Sequence, residues 1–139
     1  MFNNWFISGM ASAVCFSIMI LIYKKLLLMG IKPLVLNLCM FGIVFFGFII
    51  WNISTKTTFN FDWKIILFLL VAAAFSLLGN YFETNSVRLA PNPGYAATLK
   101  STQIIFISLL APILFRSAFG IVPVIGIGLV LVGIFLISK

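Results

Sequence analysis

The chain has 139 residues, 63% of them hydrophobic and only 8% charged, with 9 Lys and Arg against 2 acids and a net charge of +7. A water-facing surface needs roughly a quarter or more charged residues, so a soluble domain is excluded and lipid must be the solvent. The cations are scattered rather than gathered into a basic tract with interleaved aromatics, which sets nucleic acid aside as a partner. There is no His, and Cys15 and Cys39 both lie inside apolar runs, so no metal site, disulfide framework or cofactor is expected.

A helix that crosses a bilayer takes about 20 mostly apolar residues. The chain therefore has room for about five spans joined by short loops. The predicted fold is all-α, a polytopic transmembrane helix bundle forming a single membrane domain over residues 1–139.

The first apolar run covers residues 5–23 and is closed by Lys24-Lys25, with Trp5 and Tyr23 placed as interfacial anchors. No Lys or Arg precedes it, which predicts a permanent helix rather than a cleaved leader. Met29-Gly30-Ile31-Lys32-Pro33 supplies a turn, and residues 34–51 form the second span. The polar stretch Asn52 to Lys64 is a loop. The third span, residues 65–87, starts apolar and turns polar beyond Leu78 without a breaker, ending at Ala90-Pro91-Asn92-Pro93. The fourth, residues 94–115, carries Lys100, Gln103 and the internal Pro112, which frees a backbone carbonyl and predicts a kink. Arg116-Ser117 is a minimal turn, and residues 119–138 form the last span, capped by Lys139.

Loop cations number five on the side of Lys24, Lys25, Lys32, Arg88 and Lys139, against three (Lys56, Lys64 and Arg116) on the other. The positive-inside rule then places the C-terminus in the cytoplasm, with the plasma (inner) membrane as the expected location.

A charge at bilayer depth costs a few kcal/mol, so Glu83 and Lys100 must face a bundle interior or an aqueous cavity. In an antiparallel hairpin about Pro91-Asn92, Glu83 would lie level with Lys100 and Asn80 with Gln103, both ionisable groups roughly 10 Å inside the turn. Ser76, Gly79, Asn80, Glu83 and Ser86 share one helix face by their spacing of three and four, as do Ala96, Ala97, Lys100 and Gln103. Two roles stay open for this pair: an ion pair that staples two helices, or part of a substrate site. Tyr81 and Tyr95 are either interfacial anchors or stacking surfaces for a substrate. Ser8, Gly9, Ser12 and Ala13 in the first span and Gly126, Gly128 and Gly133 in the last are small enough to permit close helix approach. No nucleophile with a base and orienter, no phosphate-cradling loop and no paired carboxylates are present, so an enzyme is not expected.

Four features in order, from Asn80 to Lys139, carry a family likeness. They are the segment Tyr81 through Ala90, the entry Pro91-Asn92-Pro93-Gly94-Tyr95-Ala96-Ala97, the Ala111-Pro112 step, and the glycine-punctuated stretch Gly126 to Ile134. In these the chain resembles the EamA-like domain of the drug/metabolite transporter superfamily. It departs from the pattern in the turn before the last helix, where Phe115-Arg116-Ser117 stands in place of an acidic residue. The first helix also lacks the glutamate of the related small multidrug transporters, which weighs against proton-coupled cation export by that route.

The resemblance implies a ten-helix arrangement of two inverted halves with the pathway between them. This chain corresponds to one half, which implies a homodimer or a paired half-transporter in the lipid bilayer. The resulting expectation is a half-size secondary transporter of a small polar or amphipathic metabolite, its substrate lined by Asn80, Glu83, Tyr95, Lys100 and Gln103. A non-transporting accessory subunit of a membrane complex and a subunit of a lipid or lipid-linked sugar flippase are the alternatives.

Overall fold

The computed structural model describes residues 4–59, 61–115 and 120–137. Asn60, the turn expected at Arg116-Ser117, the expected start at Phe119, and Ser138 with the Lys139 cap lie outside the described residues. Every regular element among those described is an α-helix: α1 (Asn4–Leu28), α2 (Pro33–Thr55), α3 (Trp63–Leu89), α4 (Pro93–Lys100), α5 (Gln103–Phe115) and α6 (Ile121–Ile137). The helices α1, α2 and α3, together with the 23-residue stretch Pro93–Phe115, are each long and apolar enough to cross a bilayer. With the 17-residue α6 they make the described chain all-helical, as the composition predicts, with four or five helices of membrane-spanning character.

The helices form two compact units, Met1–Leu89 and Ala90–Lys139. In the first, α1, α2 and α3 all pack on one another. Each runs beyond its apolar stretch, α1 continuing through Lys24 and Lys25 to Leu28 and α2 reaching Thr55. A glycine cap ends α1: Gly30 adopts φ +92°, Gly30 N–H donates to Leu27 O at 3.1 Å and Ile31 N–H to Leu26 O at 3.3 Å. This paired reverse bonding satisfies two terminal carbonyls and needs a residue without a Cβ at the positive-φ position. Lys32 is extended and Pro33 occupies the first turn of α2, where its missing N–H costs nothing. The Asp62 carboxylate accepts from Trp63 N–H at 2.7 Å and places a negative charge at the positive end of α3.

The buried residues gather at one end of this unit. They are Tyr23 and Leu27 at the close of α1, Pro33, Leu36 and Asn37 at the start of α2, and Thr84 and Val87 at the close of α3. Elsewhere the apolar side chains face outward, as lipid permits. Lys24 completes this tight end, its Nζ donating to Val87 O at 3.1 Å and to Arg88 O at 3.2 Å. An ammonium thereby caps the negative terminus of α3 from a neighbouring helix. Tyr23, expected as an interfacial anchor, is only 6% exposed and belongs to the packed end instead, because α1 is longer than its apolar run.

In the second unit α4 packs on α6, and Ala96 is buried. Asn92 opens α4, its Oδ1 accepting from Gly94 N–H at 2.8 Å with Pro93 behind it. The fourth span is not continuous as expected but interrupted at Ser101-Thr102. Here Ser101 N–H is shared between Ala97 O at 3.2 Å and Thr98 O at 3.1 Å, while Thr102 N–H donates to Leu99 O and Ile104 N–H to Ser101 O, both at 3.0 Å. Past the shared bond these are bonds to the third residue back, the tighter 3₁₀ winding. Beyond it α5 runs through Pro112 to Phe115. A Cβ added at Gly9, Gly126, Gly128 or Gly133 would meet no atom within 4 Å, so the close approach expected at these glycines is not made among the described residues.

Replacing Lys24 by Met removes two charge-assisted hydrogen bonds and the charge at the α3 terminus. It should lower stability by about 1–2 kcal/mol in a denaturation series in mixed micelles. Lys25→Met, whose side chain is exposed, should shift the midpoint much less; equal losses would refute the clamp.

Candidate functional site

The polar residues of the third span do not all look outward. Asn80 is half-buried and its Nδ2 turns back along its own helix, donating to Ser76 O at 2.7 Å and Ser76 Oγ at 3.2 Å. The Asn80 carbonyl accepts from Asn37 Nδ2 at 3.3 Å and lies 2.8 Å from Thr84 Oγ1, which also donates toward Asn37 Oδ1 at 2.9 Å. One hydroxyl proton is shared between two acceptors, and Asn37 ties α2 to α3 through both ends of its carboxamide. Thr84 is 1% and Asn37 7% exposed, so the bond between these two side chains is enclosed by protein. A groove of about 390 Å³ runs beside it between the two helices, with Asn37, Ser76 and Tyr81 contributing its polar wall.

Glu83 lies on the same helix, half-buried, close enough to act electrostatically on Tyr23 of α1. The Tyr23 hydroxyl is buried and has no hydrogen-bond partner among the described residues. Such an orphan costs about 1–3 kcal/mol of desolvation.

Tyr95, Lys100 and Gln103 belong to the second unit, and all three are exposed. Lys100 is the last residue of α4 and Gln103 the first of α5, so they flank the interruption. Hydroxyls hold the backbone there: Thr98 Oγ1 donates to Gly94 O at 2.8 Å, Ser101 Oγ to Ala97 O at 3.2 Å and Thr102 Oγ1 to Leu99 O at 2.6 Å. Such back-bonding competes with regular helix and bends it. The Gln103 carboxamide falls at the middle of the Pro93–Phe115 stretch and makes no hydrogen bond to a described residue.

The apolar spans, with their polar third helix and Pro-Asn-Pro-Gly entry, fall within a family likeness that covers almost the whole chain. The model of the EamA-like transporter family fits residues 3–139. The chain belongs to that family. No curated protein and no solved structure is similar enough to count as a match. EamA-like chains are transporters of the drug/metabolite type, and membership makes this one a membrane protein of that kind.

Within this EamA-like chain, the five residues singled out by sequence divide between the two units: Asn80 and Glu83 in the first, Tyr95, Lys100 and Gln103 in the second. Asn37 and Thr84 were missed. The signal for Asn37 was available, since it is an isolated carboxamide in the apolar run from Leu34 to Trp51, where a polar side chain needs a partner helix. Thr84 stands four residues beyond Asn80, on the same helix face, so its spacing was a signal as well. The interruption, too, had its marks in the hydroxyl residues Thr98, Ser101 and Thr102.

Asn37→Leu should destabilise the chain by about 1 kcal/mol, as interhelical hydrogen bonds in membranes do. Tyr23→Phe should leave stability unchanged or raise it by about 1 kcal/mol, because it deletes an unsatisfied buried group. Both are read from unfolding midpoints in the same detergent, and a marked loss in Tyr23→Phe would show that the hydroxyl has a partner after all.

Proposed function

We propose that this chain is a half-size secondary transporter that moves a small polar or amphipathic metabolite across the plasma (inner) membrane as a dimer. The C-terminus lies in the cytoplasm, and Asn80, Glu83, Tyr95, Lys100 and Gln103 line the path. The observation that carries this reading is Gln103: an exposed carboxamide without a hydrogen-bond partner among the described residues, in the middle of a spanning stretch. Left in hydrocarbon, an unsatisfied amide costs roughly 2–7 kcal/mol. A water-lined path, a substrate or a second protomer removes that cost. The interrupted winding beside it supports the same reading, because broken helices in transporters expose backbone dipoles where substrate binds.

Glu83 on α3 and Lys100 on α4 are ionisable groups within spanning helices, each costly to leave in hydrocarbon, which supports a role for each on the path. Lys100 sits about 10 Å from the start of its helix by the usual rise. The same exposed carboxamide would also serve an accessory subunit bound to another membrane protein. Purification separates the two, a homodimer fitting transport and a stable heteromer the accessory role.

Proteoliposomes carrying the purified chain should take up or release some members of a broad metabolite panel. Glu83→Gln, Lys100→Ala and Gln103→Leu should each cut that flux about tenfold or more, while the folded fraction stays at the wild-type level. Flux unchanged in all three variants would remove these residues from the path, and no flux of any solute would remove the transport reading.

A further inference from the structure

A second groove, about 550 Å³, lies between α1 and α2 in the first unit, away from the polar network. Its volume is within the roughly 300–1,000 Å³ of ligand cavities, yet its walls are almost wholly apolar. On α1 the wall includes Cys15, Ile18 and Ile22, and on α2 Ile43, Cys39 and Val35. Each set recurs at three or four residues, which marks one helix face. Continued by three residues toward the Met29–Lys32 turn, the first face reaches Lys25, and Lys32 is the extended cap residue immediately before α2. Both lysines are exposed. Lys24 is turned the other way, onto the α3 carbonyls, so the two adjacent lysines of α1 serve different neighbours. Neither α1 nor α2 contains an acid; the carboxylate near this end is Glu83 of α3, which acts on Tyr23.

An apolar trough with two exposed lysines near its Tyr23–Ile31 end is complementary to an anionic amphiphile. We propose that the α1–α2 groove seats one acyl chain of an anionic phospholipid, whose headgroup phosphate is held between Lys25 and Lys32. The phosphate supplies the counter-charge that the two helices lack. The acyl chain supplies the contacts that the lining side chains, only partly covered by protein, do not find within the chain. A zwitterionic lipid fills the trough equally well but offers its phosphate together with a cation, and so it is held less tightly.

The test uses the delipidated chain in mild detergent, titrated with phosphatidylglycerol and with phosphatidylcholine of the same acyl chains, bound lipid being counted by native mass spectrometry. One phosphatidylglycerol per chain should bind at least tenfold more tightly than phosphatidylcholine. The double variant Lys25→Gln, Lys32→Gln should weaken phosphatidylglycerol roughly thirtyfold, while Lys56→Gln, Lys64→Gln at the opposite end of the helices should not. Cys39→Phe, which keeps both lysines but fills the trough, should lose the same lipid, and millimolar glycerol 3-phosphate should not displace it. Equal affinity for the two lipids, wild-type retention in Cys39→Phe, or displacement by the headgroup alone would each overturn the proposal. So would cross-linking of Cys39 between two chains in a Cys15→Ser background, which would show that a second copy covers the groove.

Discussion

Every polar group within the spanning part of this chain has to be satisfied without bulk water, and much of the structure follows from how that is done. The cheapest solution is local. Ser8 donates to Asn4 O, Ser17 to Ala13 O and Thr98 to Gly94 O, each hydroxyl using the carbonyl four residues back on its own helix. The next solution is a neighbouring helix, as with Asn37 and Thr84 between α2 and α3, and Lys24 between α1 and α3. Among the groups that neither solution reaches within the described residues are the carboxamide of Gln103, exposed at mid-span, and the hydroxyl of Tyr23, which is enclosed. The first faces outward and invites a partner, while the second is sealed in and only costs stability.

The same solvent explains why the first unit is tight at one end only. Lipid tails are as apolar as the side chains they touch, so there is no hydrophobic pressure to close helices along their whole length. Association then depends on the contacts that lipid cannot imitate. These are the Asn37–Asn80–Thr84 bonds and the Lys24 clamp, and they lie together at the end where α1 and α3 finish and α2 begins. The buried side chains are found there because the polar ties are there. The chain thus keeps one well-ordered end and leaves open grooves beyond it.

The architecture was legible from the sequence because apolar runs of spanning length have few alternatives in a chain with so little charge. The helix ends were less so. Lys24, Lys25 and the residues up to Leu28 look like the edge of a membrane segment by composition, but a tertiary bond to α3 and a glycine cap keep them helical. Asn37 hid for a similar reason: one polar residue among many apolar ones says nothing about where its partner stands until the fold is known. The interruption at Ser101-Thr102 was obscured by the surrounding apolar pattern, which reads through any local change of winding. The candidate site residues were recognisable as polar and aligned, yet periodicity alone does not separate Asn80, engaged with its own helix and with α2, from Gln103, which is not.

The tightened winding between α4 and α5 gives the fourth span an adjustable geometry. A residue in 3₁₀ winding advances about 2.0 Å and turns about 120°, against about 1.5 Å and 100° in an α-helix. Each residue that exchanges one winding for the other therefore shortens or lengthens the span by about 0.5 Å and rotates everything beyond it by about 20°. A shift of two or three residues along the Thr98–Ile105 stretch would act as a screw, swinging the side chains of α5 around their axis relative to Lys100. The hydroxyls of Ser101 and Thr102, each already bonded to a nearby carbonyl, can follow such a turn by exchanging one carbonyl for the next.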